Sequence, residues 1–342
     1  MNEKELLKNH ITHINRYASE IKREVTLMEI CGGHTNVIIR YGIRDILPEN
    51  IRLISGPGCP VCVTTQHDID CIVECARHGI PIATYGDMLR VPGNKMSLDE
   101  IRGKTGMVFE VYSASEVVEL QKKYPDIVFF GIGFETTAPM TAFLLDKKIC
   151  VYSAHKLIPP ALKMLASGDL KVDGFINPGH VSTIIGIQPY TKIRIPQVIA
   201  GFSAEQILRS IRILLELIRD KKPIVVNGYP EVVRQQGNKN ARLLLKKYFT
   251  VVDSEWRGLG VIAKSGLEVK NATLNAKHKY YDTIKNVLPS KKTPCRCGDI
   301  LRGLIEPTEC PLYKKQCTPK NPQGACMVSA EGSCAIYYRY GK

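Results

Sequence analysis

Val25-Thr-Leu-Met-Glu-Ile-Cys-Gly-Gly-His-Thr35 is a short β-prone run that breaks at a glycine pair flanked by a thiol and an imidazole. The same grammar returns at Ile51-Arg-Leu-Ile-Ser-Gly-Pro-Gly-Cys-Pro-Val-Cys62. In each, a strand-length run feeds a glycine turn, and glycine there admits positive φ and close backbone approach. Working outward, the pattern predicts strands over 25–30, 51–55, 80–85, 107–112, 127–132, 149–153, 172–177, 197–200 and 223–227, with helical spacing between them. Residues 5–22 place Leu7, Ile11, Ile14, Ala18 and Ile21 on one helical face. Ser113 with Glu116, and Ser203 with Gln206, match the capping-box pattern, and the second opens a helix carrying Ile207, Ile211, Leu214, Leu215 and Ile218. Such alternation predicts an α/β chain with parallel sheets covered on both faces. Two successive βαβ units are expected, dividing near residue 125, and the alternation fades from about 228.

The chain has 342 residues, 44% hydrophobic and 23% charged, which suits two or three globular units. The start, Met1-Asn2-Glu3-Lys4-Glu5, carries charge where a secretory signal would be apolar, and the longest apolar run, Val128 to Phe134, is far short of a bilayer span. A cytoplasmic, membrane-free protein is expected. In that compartment thiols stay reduced, so the twelve cysteines read as metal ligands or redox groups rather than staples. The net charge is +14, and thirteen Lys or Arg against four Asp or Glu place +9 of it between Arg234 and Lys292. No nucleic-acid module or aromatic interleaving accompanies that charge, so a solvated or protein-facing surface is expected and nucleic acid is not.

Four glycine- or proline-marked loops follow predicted strands: Cys31-Gly-Gly-His34-Thr35, Gly56-Pro-Gly-Cys59-Pro-Val-Cys62, Gly133-Phe-Glu135-Thr136-Thr137-Ala-Pro139 and Asn177-Pro-Gly179-His180-Val-Ser182. Ligands of open parallel sheets bind beyond the carboxyl ends of the strands, where such loops converge. A helix N-terminus alone, at about 0.3–1 kcal/mol, is too weak to make Cys31 largely anionic, whereas coordination of a metal deprotonates a thiol outright. Cys59-Pro-Val-Cys62 has the spacing of a redox dithiol, with zinc as the rival reading. Glu135, Thr136, Thr137, His180 and Ser182 either support a ligand or cap helices. Cys71 and Cys75, four apart on a predicted helix, and Cys150 in a predicted strand read as ordinary core or surface thiols.

Six cysteines fall in the last forty-eight residues: Cys295, Cys297, Cys310, Cys317, Cys326 and Cys334. This tail is rich in Cys, Pro and Gly and cannot form long regular elements. Cubane clusters take four thiolates and tolerate irregular spacing, so Cys310, Cys317, Cys326 and Cys334 are expected to hold a [4Fe–4S] cluster, with Cys295 and Cys297 as an auxiliary redox pair. Other partitions, and zinc, stay open.

Taken together these motifs, with Trp256-Arg-Gly-Leu-Gly260, Ser265-Gly-Leu267, Cys317-Thr-Pro, Gly324-Ala-Cys-Met-Val-Ser329 and Glu331-Gly-Ser-Cys334-Ala, resemble the HypD family of [NiFe]-hydrogenase maturation proteins over nearly the whole chain. The resemblance implies a scaffold for the Fe(CN)2CO group of the hydrogenase active site. Its implied partners are a HypC-type chaperone that shares the iron and HypE, which delivers cyanide made from carbamoyl phosphate by HypF; the hydrogenase large subunit is an indirect partner. It implies two Rossmann-like parallel-sheet α/β domains plus a small cysteine-rich iron–sulfur domain, here set as 25–125, 126–227 and 228–342 after an N-terminal helix over 1–24. By motif, Cys31 would ligate the transient iron, His34 would neighbour it, Cys59 and Cys62 would be the redox dithiol, and Glu331 a further iron-binding candidate. Electrons would pass from the tail to Cys59/Cys62 and on to the iron. The chain departs from the family at Asn36, where many relatives have a second histidine, and at Ala330, where serine is common. The rival reading is an iron–sulfur disulfide reductase acting on a protein dithiol; a third is a zinc-bearing nucleic-acid binder.

Overall fold

The computed structural model describes residues 3–168, 170–288 and 293–341, so the last four residues of the basic segment, 289–292, lie outside it. All nine predicted strands form: β1 Val25–Glu29, β2 Ile51–Ser55, β3 Ile82–Thr84, β4 Val108–Glu110, β5 Val128–Gly131, β6 Cys150–Ser153, β7 Gly174–Pro178, β8 Gln197–Ala200 and β9 Val225–Asn227. They build two parallel sheets, a five-stranded one ordered β2-β1-β7-β8-β9 and a four-stranded one ordered β4-β3-β5-β6. The boundary expected near residue 125 therefore falls inside the four-stranded sheet, between β4 and β5. The chain leaves the first sheet after β2, builds the second, and returns at β7, which lies against the open edge of β1 with Leu27, Met28 and Glu29 opposite Gly174, Phe175 and Ile176. A linear division cannot see this return, because strand order depends on which edges meet rather than on local pattern.

Parallel strands need apolar cover on both faces. One face of the five-stranded sheet is closed by helices Glu3–Ile21 and Ala204–Arg219, whose Ile14, Tyr17, Ala18, Ile207, Ile211, Leu214 and Leu215 pack on Val25, Leu27, Leu53, Ile176 and Val198. The second helix opens with the expected reciprocal box: Gln206 N–H donates to Ser203 Oγ at 3.1 Å and Ser203 N–H to Gln206 Oε1 at 3.1 Å. Ser113 also sits at a helix start, but its hydroxyl donates to Glu116 Oε1 at 3.0 Å and accepts no backbone N–H, so the box there is incomplete.

Beyond 228 the chain forms an antiparallel hairpin absent from the sequence reading, β10 Phe249–Trp256 and β11 Gly260–Val269. It packs on the four-stranded sheet through Phe249, Leu267 and Val269, and Ser153 Oγ donates to Leu267 O at 2.6 Å. Among the described residues the tail holds only short helices, Cys297–Leu301, Ala325–Val328 and Ser333–Tyr340, with a 3-10 turn at Pro307–Glu309, as its composition requires. Among the described residues no helix is long and apolar enough to cross a membrane. Cys71, Cys75 and Cys150 are buried in the core.

Candidate functional site

Cys31 is the N-cap of helix Gly32–Arg40, immediately beyond β1, and Cys59 is the N-cap of the short helix Pro60–Val63 beyond β2. Because β1 and β2 are neighbours, the two turns meet. Gly32 N–H donates to Gly58 O at 3.3 Å, and a Cβ at Gly58 would lie 2.2 Å from the Cys31 nitrogen and 2.4 Å from its Cα. Glycine is thus required at 58 for the turns to approach. Cys59 and Cys62 form a disulfide and both are buried.

Cys31 is 2% exposed. Burial, with the carboxylates of Glu331 and Glu29, pushes its thiol far above the ordinary range, while backbone N–H groups of His34 and Gly33 pull weakly the other way. The helix start is therefore not enough to make it a thiolate. Beneath it Glu29, the last residue of β1, is wholly buried; its Oε2 accepts the Cys31 N–H at 2.9 Å and its Oε1 accepts the Thr35 hydroxyl. Desolvation raises Glu29 to about 7. Sequence reasoning passed over Glu29, although a carboxylate inside an otherwise apolar buried strand was a readable signal.

His34 is fully buried, and neither ring nitrogen has a hydrogen-bond partner, although backbone carbonyls of Ala200 and Gly201 lie nearby. Burial lowers it to about 3, with His180 adding to the effect, so the ring is neutral. Phe202, on the loop after β8, packs against both imidazoles, stacked on His180 with centroids 5.1 Å apart and tilted by 32° against His34 at 4.9 Å. The β1, β7 and β8 loops are thereby brought together. Ser182 serves the backbone instead: its hydroxyl donates to Pro178 O at 2.9 Å and hydrogen-bonds Tyr190 Oη at 3.1 Å.

The β5 loop divides its residues between roles. Glu135 is 2% exposed and accepts the Ile158 N–H at 3.1 Å, capping the first turn of helix Ile158–Ala166. Desolvation raises it to about 8. Thr137 Oγ1 donates to Ile132 O at 3.1 Å, and Thr136 is half-buried. Thr137 also lines a cleft of about 640 Å³ with Pro60, Val61, Asp87 and Glu331.

Glu331 arrives there from the tail. A Cβ on Gly32 would lie 2.4 Å from Glu331 O, and the segment is tied to the short helix Gly86–Leu89 after β3 by Ser329 Oγ donating to Asp87 Oδ2 at 2.8 Å. Asp87 carried no sequence signal. The six tail thiols are drawn together: Cys334 feels Cys297, Cys295, Cys317 and Cys310, and Cys326 feels Cys297, Cys334 and Cys295. Cys297 Sγ lies 2.7 Å from Cys326 Sγ, so the expected auxiliary pair is not set apart from the expected ligand set. A Cβ at Gly324 would lie 2.6 Å from Cys295 Sγ. Among the described residues no three His, Cys, Asp or Glu side chains close on a single metal ion. An all-sulfur donor set is nevertheless the chemistry an iron–sulfur cluster takes.

Residues 5–341 match the family model HypD, described as the hydrogenase formation hypA family. The chain is similar to a putative hydrogenase expression/formation protein of Methanocaldococcus jannaschii, at 41% identity over 99% of this chain and 98% of that one. It is similar also to the hydrogenase maturation factor HypD of Azotobacter vinelandii, 41% identical over 94% of this chain and 90% of its relative. A third, the HypD of Cupriavidus necator, is 37% identical over 99% and 95%. With both the thiol-bearing turns and the tail inside these matches, the chain belongs to the HypD family.

Proposed function

We propose that this hydrogenase maturation factor is the scaffold on which an Fe(CN)2CO group is assembled, with Cys31 as its thiolate on the iron. The observation carrying this reading is the meeting at Cys31 of three distant segments: its own turn, the Gly58–Cys62 turn, and Glu331 of the tail. Two Rossmann-like units, one per parallel sheet, and a cysteine-rich iron–sulfur unit are the parts of that scaffold.

Without cargo Cys31 is a protonated thiol; binding iron offsets the burial penalty and releases the proton, for which Glu29 and Glu331 are the neighbouring bases. His34, neutral and unpartnered, has one N–H to offer a small anionic ligand held beside Cys31. The Cys59–Cys62 disulfide opens with two electrons and two protons to a dithiol next to the Cys31 turn. The tail donor set fits a [4Fe–4S] cluster, held by Cys310, Cys317, Cys326 and Cys334 with Cys295 and Cys297 as auxiliary pair; when bound it would supply one-electron redox chemistry. A HypC-type chaperone would share the iron, HypE would deliver cyanide made by HypF from carbamoyl phosphate, and the hydrogenase large subunit would receive the product. The cytoplasm, where thiols stay reduced, is the compartment this chemistry needs.

The test is anaerobic co-purification with the chaperone, followed by infrared spectroscopy of the cyanide and carbonyl stretches. Cys31→Ser should abolish the bands, and Cys59→Ala or Cys62→Ala should diminish them at least tenfold. Normal bands in Cys31→Ser refute the reading. A disulfide reductase, by contrast, has no use for the Cys31–His34 pocket, and its turnover would survive Cys31→Ser.

A further inference from the structure

The tip of the β10–β11 hairpin, Trp256 to Gly260, touches three of the segments that carry the chemistry. Trp256 is fully buried, stacks on Phe134 of the β5 loop with centroids 6.0 Å apart, and donates its indole N–H to Ser265 Oγ at 2.9 Å. Arg257 grips the end of the Cys59–Cys62 turn. Its backbone N–H donates to Val63 O at 2.9 Å, its Nε to Thr64 O at 2.9 Å and its Nη1 to Gln66 Oε1 at 3.1 Å. Gly258, at φ 77°, lies against the tail: a Cβ there would meet the Cα of Gly298, the neighbour of Cys297, at 2.2 Å.

The remaining guanidinium nitrogen, Nη2, is buried without a partner. A buried, unpaired charged donor is costly unless an anion lies alongside. On the tail side Gly258 sits against Gly298, so the segment beginning at Cys297 is the neighbour of this residue. The hairpin tip thus stands between the disulfide turn and the tail, with two side-chain hydrogen bonds and one backbone hydrogen bond of Arg257 fixed on the first.

We propose that Arg257 is a positioning residue that sets the redox poise of the Cys59–Cys62 pair and ties that pair to the Cys297 side of the tail. This rests on Cys59–Cys62 being a working dithiol. Reduction takes two electrons and two protons, breaks the S–S bond and leaves two thiols with some thiolate character. A fixed cation favours that form over the neutral disulfide and so raises the potential. Lysine keeps the charge but not the planar fork.

The experiment equilibrates the full-length chain, purified anaerobically, in dithiothreitol redox buffers, where the reductant closes to its cyclic disulfide as the protein pair opens. Alkylation and mass spectrometry then count the Cys59/Cys62 peptide in each state, while fluorescence of the single tryptophan reports whether the hairpin is seated. Arg257→Gln should shift the equilibrium about tenfold toward the disulfide, about 30 mV for a two-electron couple. Arg257→Lys should stay within about threefold of the native chain. Gln66→Glu, which keeps the Nη1 contact but neutralises the guanidinium, should shift about threefold in the same direction as Arg257→Gln. The proposal is overturned if Arg257→Gln and Gln66→Glu both stay within twofold of the native chain, or if Arg257→Lys shifts as far as Arg257→Gln. A native pair that cannot be reduced at all refutes the dithiol reading itself, and the proposal with it.

Discussion

Glu135 and His155 are buried ionisable groups with opposite pH demands. Desolvation raises Glu135 to about 8 and lowers His155 to about 3. A carboxyl whose folded value is raised stabilises fully below its unfolded value, and that contribution is lost as pH climbs through the folded one. A histidine held low stabilises above its unfolded value and loses that as pH falls toward the folded one. Between unfolded values near 4.5 and 6.5 the Glu135 contribution falls as fast as the His155 contribution rises, so this pair alone gives a flat stability maximum between about pH 4.5 and 6.5. Glu135→Gln should remove Glu135's share of the alkaline limb, leaving that of Glu29, and by pH 9 should be up to about 5 kcal/mol more stable than the native chain, at about 1.36 kcal/mol per pKa unit. Urea midpoints against pH measure this; an unchanged alkaline limb rules the assignment out. The site's thiols and its Glu135 were legible because glycine and proline mark their loops. Asp87 and Arg257 were not singled out, since their importance comes from what they touch across the chain, whereas Glu29, with partners only two and six residues away, left a local signal that was passed over.

The turns make their own demands on glycine. Alanine at Gly58 would put a Cβ 2.2 Å from the Cys31 nitrogen, and backbone cannot yield there as a side chain can. Gly103, in helix Leu98–Thr105, has nothing within 4 Å of such a Cβ. Gly103→Ala should therefore stabilise by about 0.5–1 kcal/mol, and Gly58→Ala should destabilise by about 2–4 kcal/mol while speeding alkylation of Cys31. Thermal unfolding and a timed iodoacetamide reaction read both; Gly58→Ala with native stability would mean the two thiol turns do not abut. The same contrast explains what the sequence revealed. Each of the nine parallel strands carries its signal locally, as a β-prone run ending at a turn. Their order does not, because β7 joins β1 across nearly 150 residues of other structure. The β10–β11 hairpin escaped notice because its solvent-facing residues, with Val251 and Val261 exposed, blur the alternation that marks a half-buried strand.

For the molecule as a whole, the tail closes the site by gripping both sheets. On the five-stranded side Arg44 pairs with Glu306 at 2.9 Å and donates to the Tyr337 hydroxyl, while its Nη2 reaches Ser55 Oγ at 3.4 Å, next to the Glu29–Thr35 cluster under Cys31. On the four-stranded side Ser329 and the Ala330 N–H both donate to Asp87 Oδ2. Apart from Arg44–Ser55, these polar contacts join residues more than two hundred positions apart, a kind of information no local pattern carries. If the tail docks as one body, each clamp serves the same event. Arg44→Met should then cost about 1–3 kcal/mol and raise the alkylation rate of Cys31 at least tenfold, because the segment above it lifts. Asp87→Asn, which weakens the second clamp, should do likewise. The double variant decides the matter: once either clamp has released the segment, the other has little left to hold. The two losses should therefore fall short of additivity by more than about 0.5 kcal/mol. Denaturant unfolding of the four members of the cycle measures this, and strictly additive losses would mean that the two ends of the tail dock independently, leaving Cys31 covered by Glu331 alone.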